Sequence, residues 1–220
     1  MIACILPSRG LVFSEVIGAI ERERELHKLR VYISDNLPIP DAQNELIGRA
    51  IEDEKALGKF THFWFIEEDT VPPSGSLGNL MDSKCDITCV DYSVSGWSCI
   101  TRDRNSSEIM WCGMGCTLVK REVLAAIGEP WFKTDKSLRL NDGEWIDTNA
   151  EKVYGQQDIR FCIEAKAEGF TIGQADGECR HLQLHELGKP EVNKGLHKIG
   201  PKLKIEKYQL LEKGVRDYSE

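Results

Sequence analysis

Short apolar runs alternate with helical spacings from the first residues onward. Ile2 to Leu6 reads as a strand, Ser14 to His27 as a helix and Val31 to Ser34 as a second strand, which is the opening of an α/β unit. Asp41 is placed to cap a helix whose apolar positions Ala42, Leu46, Ile47, Ala50 and Ile51 recur at helical spacing, ending near Gly58. Thr61 to Ile66 is apolar almost throughout, as a central strand covered on both faces should be, and it runs straight into Glu67-Glu68-Asp69. After Pro72-Pro73 the pattern predicts a short helix from Ser74 to Met81, a strand from Asp86 to Asp91 and a polar loop from Ser93 to Ser107. Loop, strand and helix follow across Met110 to Gly128. A second polar segment, Thr134 to Gly155, leads into a helix from Gln156 to Glu168 that stops at Gly169, and then a strand from Phe170 to Gln174. One domain over residues 1–190 is expected, with a basic, amphipathic tail over 191–220 as a closing helix or lid.

Composition narrows the partners. A chain of 220 residues supports one core of good size. No stretch approaches the run of about 20 apolar residues that a membrane span needs, so a soluble protein is expected. The start, MIACILPSRG, has no basic region before its apolar segment and reads as a first strand, so a cytoplasmic location is expected. A net charge of -8 excludes broad affinity for nucleic acid or anionic membrane, both of which require an extended positive face. The eight cysteines are dispersed through apolar segments and read as reduced, mostly buried thiols. Cys85/Cys89 and Cys112/Cys116 have a spacing found in zinc sites, but the first pair lies in a strand, where four steps separate the sulfurs by roughly 13 Å. The ERERE run at Glu21 to Glu25 is a solvated helix face.

The candidate chemistry begins where the buried strand ends. Glu67 and Asp69, two residues apart, point to one side at the carboxyl edge of the sheet, where open α/β sheets bind ligands. Paired carboxylates suit Mg²⁺ or Mn²⁺, which can hold a diphosphate and neutralise its charge as it leaves. Alone, such a triplet is more often an acidic turn.

The run HFWFIEEDTVPP resembles the strand, acidic motif and following prolines of GT-A glycosyltransferases, with Glu67 and Asp69 in the two positions of Asp-x-Asp. The resemblance is family-2-like, of a kind that viruses and phages also encode, and it extends over most of the chain. Pro7, Ser8 and Arg9 look like the nucleotide-contacting loop, and Asp35 matches an acid that contacts base or ribose. Gln43 and Asn44 look like the entry to the next helix, with Gln43 in place of the usual Arg. Gly113, Met114 and Gly115 are similar to the Gly-rich turn under the donor sugar, where small residues permit close approach. GQQDIRFC resembles the Gly-Glu-Asp-x-x-Phe-Cys pattern, with Gln157 replacing Glu and Asp158 in the place of the catalytic acid.

The resemblance implies a Rossmann-like α/β/α sandwich with a mostly parallel sheet in a single domain. It implies a UDP- or GDP-sugar donor held by Pro7, Ser8, Arg9, Asp35, Gln43, Asn44, Glu67, Glu68, Gly113, Met114, Gly115 and Gln157. Mn²⁺ or Mg²⁺ on Asp69, His181 and Glu67 follows from it, with Asp158 as general base in an inverting member or substrate-orienting group in a retaining one. His185 competes with His181 as the metal ligand, although FTIGQADGECR lacks helical periodicity and should deliver His181 from an extended chain. The acceptor, whether protein, glycan or modified nucleobase, is open, and in a viral member the location would be the host cytoplasm. Two other readings compete: a nucleotidyltransferase, disfavoured by the single glycine in the first loop, and a nucleotide-sugar-binding protein without catalysis, suggested by Gln43, Glu67 and Gln157.

Overall fold

The structure, a computed structural model, describes residues 1–34, 37–94, 96–103, 105–138, 145–147 and 156–182. In chain order the elements are β1 (Ile2–Leu6), α1 (Ser14–Leu26), β2 (Leu29–Ile33), α2 (Ile39–Leu57), β3 (His62–Ile66), β4 (Thr70–Val71) and α3 (Ser76–Asp82). They continue as β5 (Ile87–Val94), β6 (Trp97–Ser98), β7 (Ile100–Arg102), β8 (Ile109–Cys112), β9 (Cys116–Lys120) and α4 (Arg121–Ile127). Last come β10 (Lys136–Leu138), β11 (Trp145–Asp147), α5 (Gln157–Ala167) and β12 (Ile172–His181).

The main sheet has the order β2-β1-β3-β9-β5-β12-β4. Strands β2, β1, β3, β5 and β12 run one way, and β9 and β4 run against them. Alternation along β1 distributes side chains to both faces. Ala3 and Ile5 join Leu46, Ile47 and Ala50 of α2 and Phe161 and Ala165 of α5 on one side. Ile2, Cys4 and Leu6 join Val16, Ala19 and Ile20 of α1 and Leu77 and Leu80 of α3 on the other. Two apolar faces, each under helices, explain why β1, and β3 after His62, read as unbroken apolar runs. This is the expected Rossmann-like α/β/α sandwich of the GT-A type, with five of seven path strands parallel.

Local details depart from the sequence reading. Helix α2 begins at Ile39 after Pro38 and carries Asp41 inside its first turn, so Asp41 does not cap it. Proline is tolerated in a first turn because its missing N–H would have no helical partner there. The expected loop from Ser93 to Ser107 instead contains the end of β5, β6 and β7. These strands are short and largely exposed, so no apolar periodicity marks them. Met110 to Cys112, at the loop end of the stretch expected as loop, strand and helix, instead belong to β8, which pairs with β7. Strand β12 runs seven residues past Gln174, through a register shift between Gln174 and Glu178. Gly177 sits in that bulge at φ 110°, a conformation that suits glycine.

All eight cysteines are free thiols, six of them buried, as the dispersed pattern predicts. No helix among the described residues is long and apolar enough to cross a membrane. The tail over 191–220 lies outside the described residues.

Candidate active site

Three chain segments meet at the carboxyl edge of β1, β3 and β12. The loop after β3 is held at both ends: the Glu67 N–H donates to the Gly115 carbonyl (3.2 Å), and the Phe13 N–H donates to the Glu68 carbonyl (3.0 Å). Strand β12 pairs antiparallel with the two-residue β4, aligning His181 with Thr70. The Leu182 N–H donates to the Asp69 carbonyl. This pairing brings His181 Nε2 to 3.4 Å from Asp69 Oδ1. His181 therefore arrives from an extended strand, as the lack of helical periodicity predicts, while His185 lies outside the described residues.

The three acids of the motif have different surroundings. Glu68, buried, turns toward the first loop: its carboxylate accepts from the Arg9 backbone N–H (2.8 Å) and from Arg9 Nε (2.6 Å). The same guanidinium stands 4.0 Å from Asp69 Oδ2. Glu67 is half-buried and its carboxyl is pushed up to about 8, first by burial and then by the carboxylates of Asp69 and Asp158, with His181 and Arg9 offsetting only part. One set of charges therefore links the acidic loop, the first loop, β12 and the start of α5. Burial also raises the Asp158 carboxyl, against the Ile159 N–H that donates to its Oδ1 at 2.9 Å.

This imbalance has a measurable consequence. The folded chain holds the Glu67 proton more tightly than the unfolded chain, whose carboxyl titrates near 4.5, so stability is lost as pH rises from about 4.5 to about 8. In EDTA, Glu67→Gln is expected to raise Tm at about pH 8.5 and to change it little at about pH 5. Equal shifts at the two pH values would show that Glu67 does not carry the excess charge.

Asp158 is held in place by packing that begins on α2. Asn44 Nδ2 donates to the Phe132 carbonyl (2.8 Å) and Asn44 Oδ1 accepts from the Phe132 N–H (2.9 Å). The Phe132 ring stacks on Phe161 of α5 at 4.7 Å between centroids. Arg160 pairs with Asp135 and Glu164, and Lys133 also reaches Glu164 (3.0 Å), tying the same segment to α5. Gln156, at φ 62°, turns the chain into the helix, and Gln157 opens it beside Asp158. Asn44 thus uses both polar atoms on the Phe132 backbone.

The remaining candidates fall in place as follows. Pro7 and Ser8 are buried; the Ser8 N–H donates to Ser34 Oγ, and Ser8 Oγ accepts from the Gly10 N–H, fixing the loop after β1. Gln43 is fully buried in α2, and among the described residues neither its amide oxygen nor its nitrogen has a hydrogen-bond partner. Gly113, Met114 and Gly115 form the buried turn between β8 and β9. Asp35 lies outside the described residues.

The sequence reading missed Tyr92. Its Oη accepts from the Gly115 N–H (3.1 Å), and its ring centroid is 5.8 Å from that of His181. A Cβ on Gly115 would stand 2.7 Å from Tyr92 Cζ, so this glycine is required for close approach.

Among the described residues, no group of three or more His, Cys, Asp or Glu side chains is placed to hold a metal ion. Asp69 and His181 supply an oxygen and a nitrogen donor side by side, a set that fits Mn²⁺ or Mg²⁺ when phosphate and water oxygens complete the shell. Glu67 is raised first by burial and then by the Asp69 and Asp158 carboxylates, and a cation would relieve the second of these.

No family model matches the chain, and no curated protein matches it in sequence. Solved structures do. The protein A197 from STIV is 16% identical, with 88% of this chain and 99% of that chain covered at a TM-score of 0.58. The catalytic domain of Drosophila beta1,4-galactosyltransferase 7, in complex with xylobiose, is 13% identical over 91% of this chain and 79% of its own, at 0.48. The inositol-1-phosphate CTP transferase from T. maritima is 10% identical over 98% of both chains, at 0.47. At these identities the A197 match bears on the fold alone, and the two lower scores carry no weight for fold or chemistry. With the strand order, the reversed β9 inside the sheet and helices on both faces, the chain has a Rossmann-like fold of the GT-A type.

Proposed function

We propose that the chain is a metal-dependent glycosyltransferase that moves a sugar from a nucleoside diphosphate sugar to an acceptor hydroxyl. The observation that carries this reading is the meeting of Glu67, Asp69, Asp158 and His181 at the carboxyl edge of the sheet, where burial and then the carboxylates of Asp69 and Asp158 push Glu67 up to about 8. Perturbed carboxyls grouped at a sheet edge are a mark of functional sites.

Asp69 and His181 would hold the ion, with Glu67 beside them. A bound Mn²⁺ or Mg²⁺ would neutralise charge on the departing diphosphate. Arg9, fixed by Glu68, adds a positive charge on the same side. In a single displacement the acceptor oxygen bonds to the anomeric carbon, whose bond to the phosphate oxygen breaks with its electron pair leaving on the diphosphate. Asp158 takes the acceptor proton on its carboxylate, and a carboxyl raised by burial is a stronger base than an ordinary aspartate. In a double inversion or front-face transfer the same carboxylate orients the substrate.

A panel of UDP- and GDP-hexoses read by thermal shift, with and without Mn²⁺, tests the donor. A cognate donor raises Tm with Mn²⁺ by mass action, whereas no shift across the panel would contradict the reading. The metal assignment is tested by titrating Mn²⁺. His181→Ala is expected to weaken Mn²⁺-dependent donor binding and donor hydrolysis together, and His185→Ala to leave the midpoint unchanged. A normal midpoint for His181→Ala with a weakened one for His185→Ala would reverse the assignment.

A further inference from the structure

Tyr92 lies between the Gly113–Gly115 turn and His181, with Glu67 and Asp158 near enough to act on it. Its side chain is on the face of β5 that also presents Val90, and only 4% of the residue is exposed. Its ring fills the space that Cβ atoms on Gly113 and Gly115 would occupy, and it packs beside the His181 imidazole. The carboxylates of both Glu67 and Asp158 act on the phenol, which titrates well above its ordinary value, chiefly through burial. The hydroxyl is thus placed among the acidic loop, the base helix and the strand that brings His181.

A phenolic hydroxyl is both donor and acceptor. The Tyr92 oxygen accepts from the Gly115 N–H, yet nothing among the described residues accepts from its own O–H. A buried donor left unused costs free energy unless something takes it up. Packing alone would be satisfied by phenylalanine.

We propose that the Tyr92 hydroxyl is a substrate-contacting group, donating a hydrogen bond to a sugar hydroxyl of the bound nucleotide-sugar; this rests on the donor reading of the site. Binding then supplies the missing acceptor. Because the oxygen is fixed by Gly115, the donated hydrogen has a set direction and discriminates among sugars by the position of the hydroxyl. Tyr92 is on this account a specificity-determining residue.

The test is Tyr92→Phe, which keeps the ring against Gly113, Gly115 and His181 and removes only the hydroxyl. Donor affinity is measured in Mn²⁺ with the UDP- or GDP-hexose giving the largest thermal shift, and with the 2-, 3-, 4- and 6-deoxy forms of its sugar. The expected result is a loss of donor affinity of about ten-fold, the upper range for one neutral hydrogen bond, with an unchanged Mn²⁺ midpoint. One deoxy donor should bind the wild type and the variant equally, because it lacks the hydroxyl that Tyr92 contacts. Loss of the acceptor for the Gly115 N–H lowers Tm on either account, so the deoxy series decides: a structural role would reduce all donors by the same factor. Uniform reduction across the deoxy series, or no reduction at all, overturns the role of Tyr92 while leaving the donor site intact. Failure of the wild type to bind any nucleotide-sugar overturns the donor reading and this proposal with it.

Discussion

Asp158→Asn is expected to lower turnover by at least about 10²-fold, the lower range for losing a general base, while donor and metal binding stay near wild type. The amide keeps the size of the side chain and its acceptor for the Ile159 N–H, so α5 should start as before. The stack of Phe132 on Phe161 and the ion pairs of Arg160 lie beyond the substitution and continue to hold the helix. What is lost is the ability to take a proton, together with one of the smaller charges acting on Glu67. The competing account is a carboxylate that favours the positive end of the helix, worth about 0.3–1 kcal/mol. That account gives a small fall in Tm and turnover close to normal. Collapse of donor affinity along with turnover would make Asp158 a substrate-positioning group, and single-turnover kinetics beside equilibrium donor binding separates the cases.

Asp69→Asn is expected to abolish most transfer and most Mn²⁺-dependent donor binding together. The carboxylate supplies both the charge and the oxygen donor that a hard cation requires, and an amide of the same shape supplies far less of either. The backbone contacts should survive, since the Asp69 carbonyl and not its side chain accepts from Leu182. The Tm without metal should therefore hold. A variant that kept the wild-type Mn²⁺ dependence would rule out Asp69 as a ligand and remove the metal from the account.

How much of this was legible in the sequence depends on the residue. β1 and β3 were clear because both faces are covered, so every position but His62 at the start of β3 is apolar, and the acidic triplet stood out by directly following such a strand. His181 was placed correctly as part of an extended segment. What brings it to Asp69 was not visible, because β4 is two residues long and carries no periodicity. Asp158 was marked by its pattern, but the Asn44 clamp on Phe132 that steadies its helix spans 88 positions along the chain and has no local sign. Glu68 was grouped with the nucleotide-contacting residues; its partner Arg9 is 59 positions away, and their pairing became visible only once β1 and β3 were side by side. Tyr92 fell between the strand expected to end at Asp91 and the loop expected from Ser93, and drew no reading. Its only forward sign was two glycines at Gly113 and Gly115, which require a bulky neighbour or a ligand without saying which.

The central claim is the bond that is broken, and product identity in donor cleavage tests it most directly. The protein is incubated with its best-shifting UDP- or GDP-hexose, with and without Mn²⁺, and the products are separated by ion-exchange chromatography with NMR of the sugar. The account predicts Mn²⁺-dependent release of the nucleoside diphosphate and free hexose, water standing in for the acceptor, with no nucleoside monophosphate. Release of nucleoside monophosphate and sugar phosphate, or formation of pyrophosphate when a nucleoside triphosphate and sugar phosphate are supplied instead, would place the chemistry at the α-phosphate and contradict it.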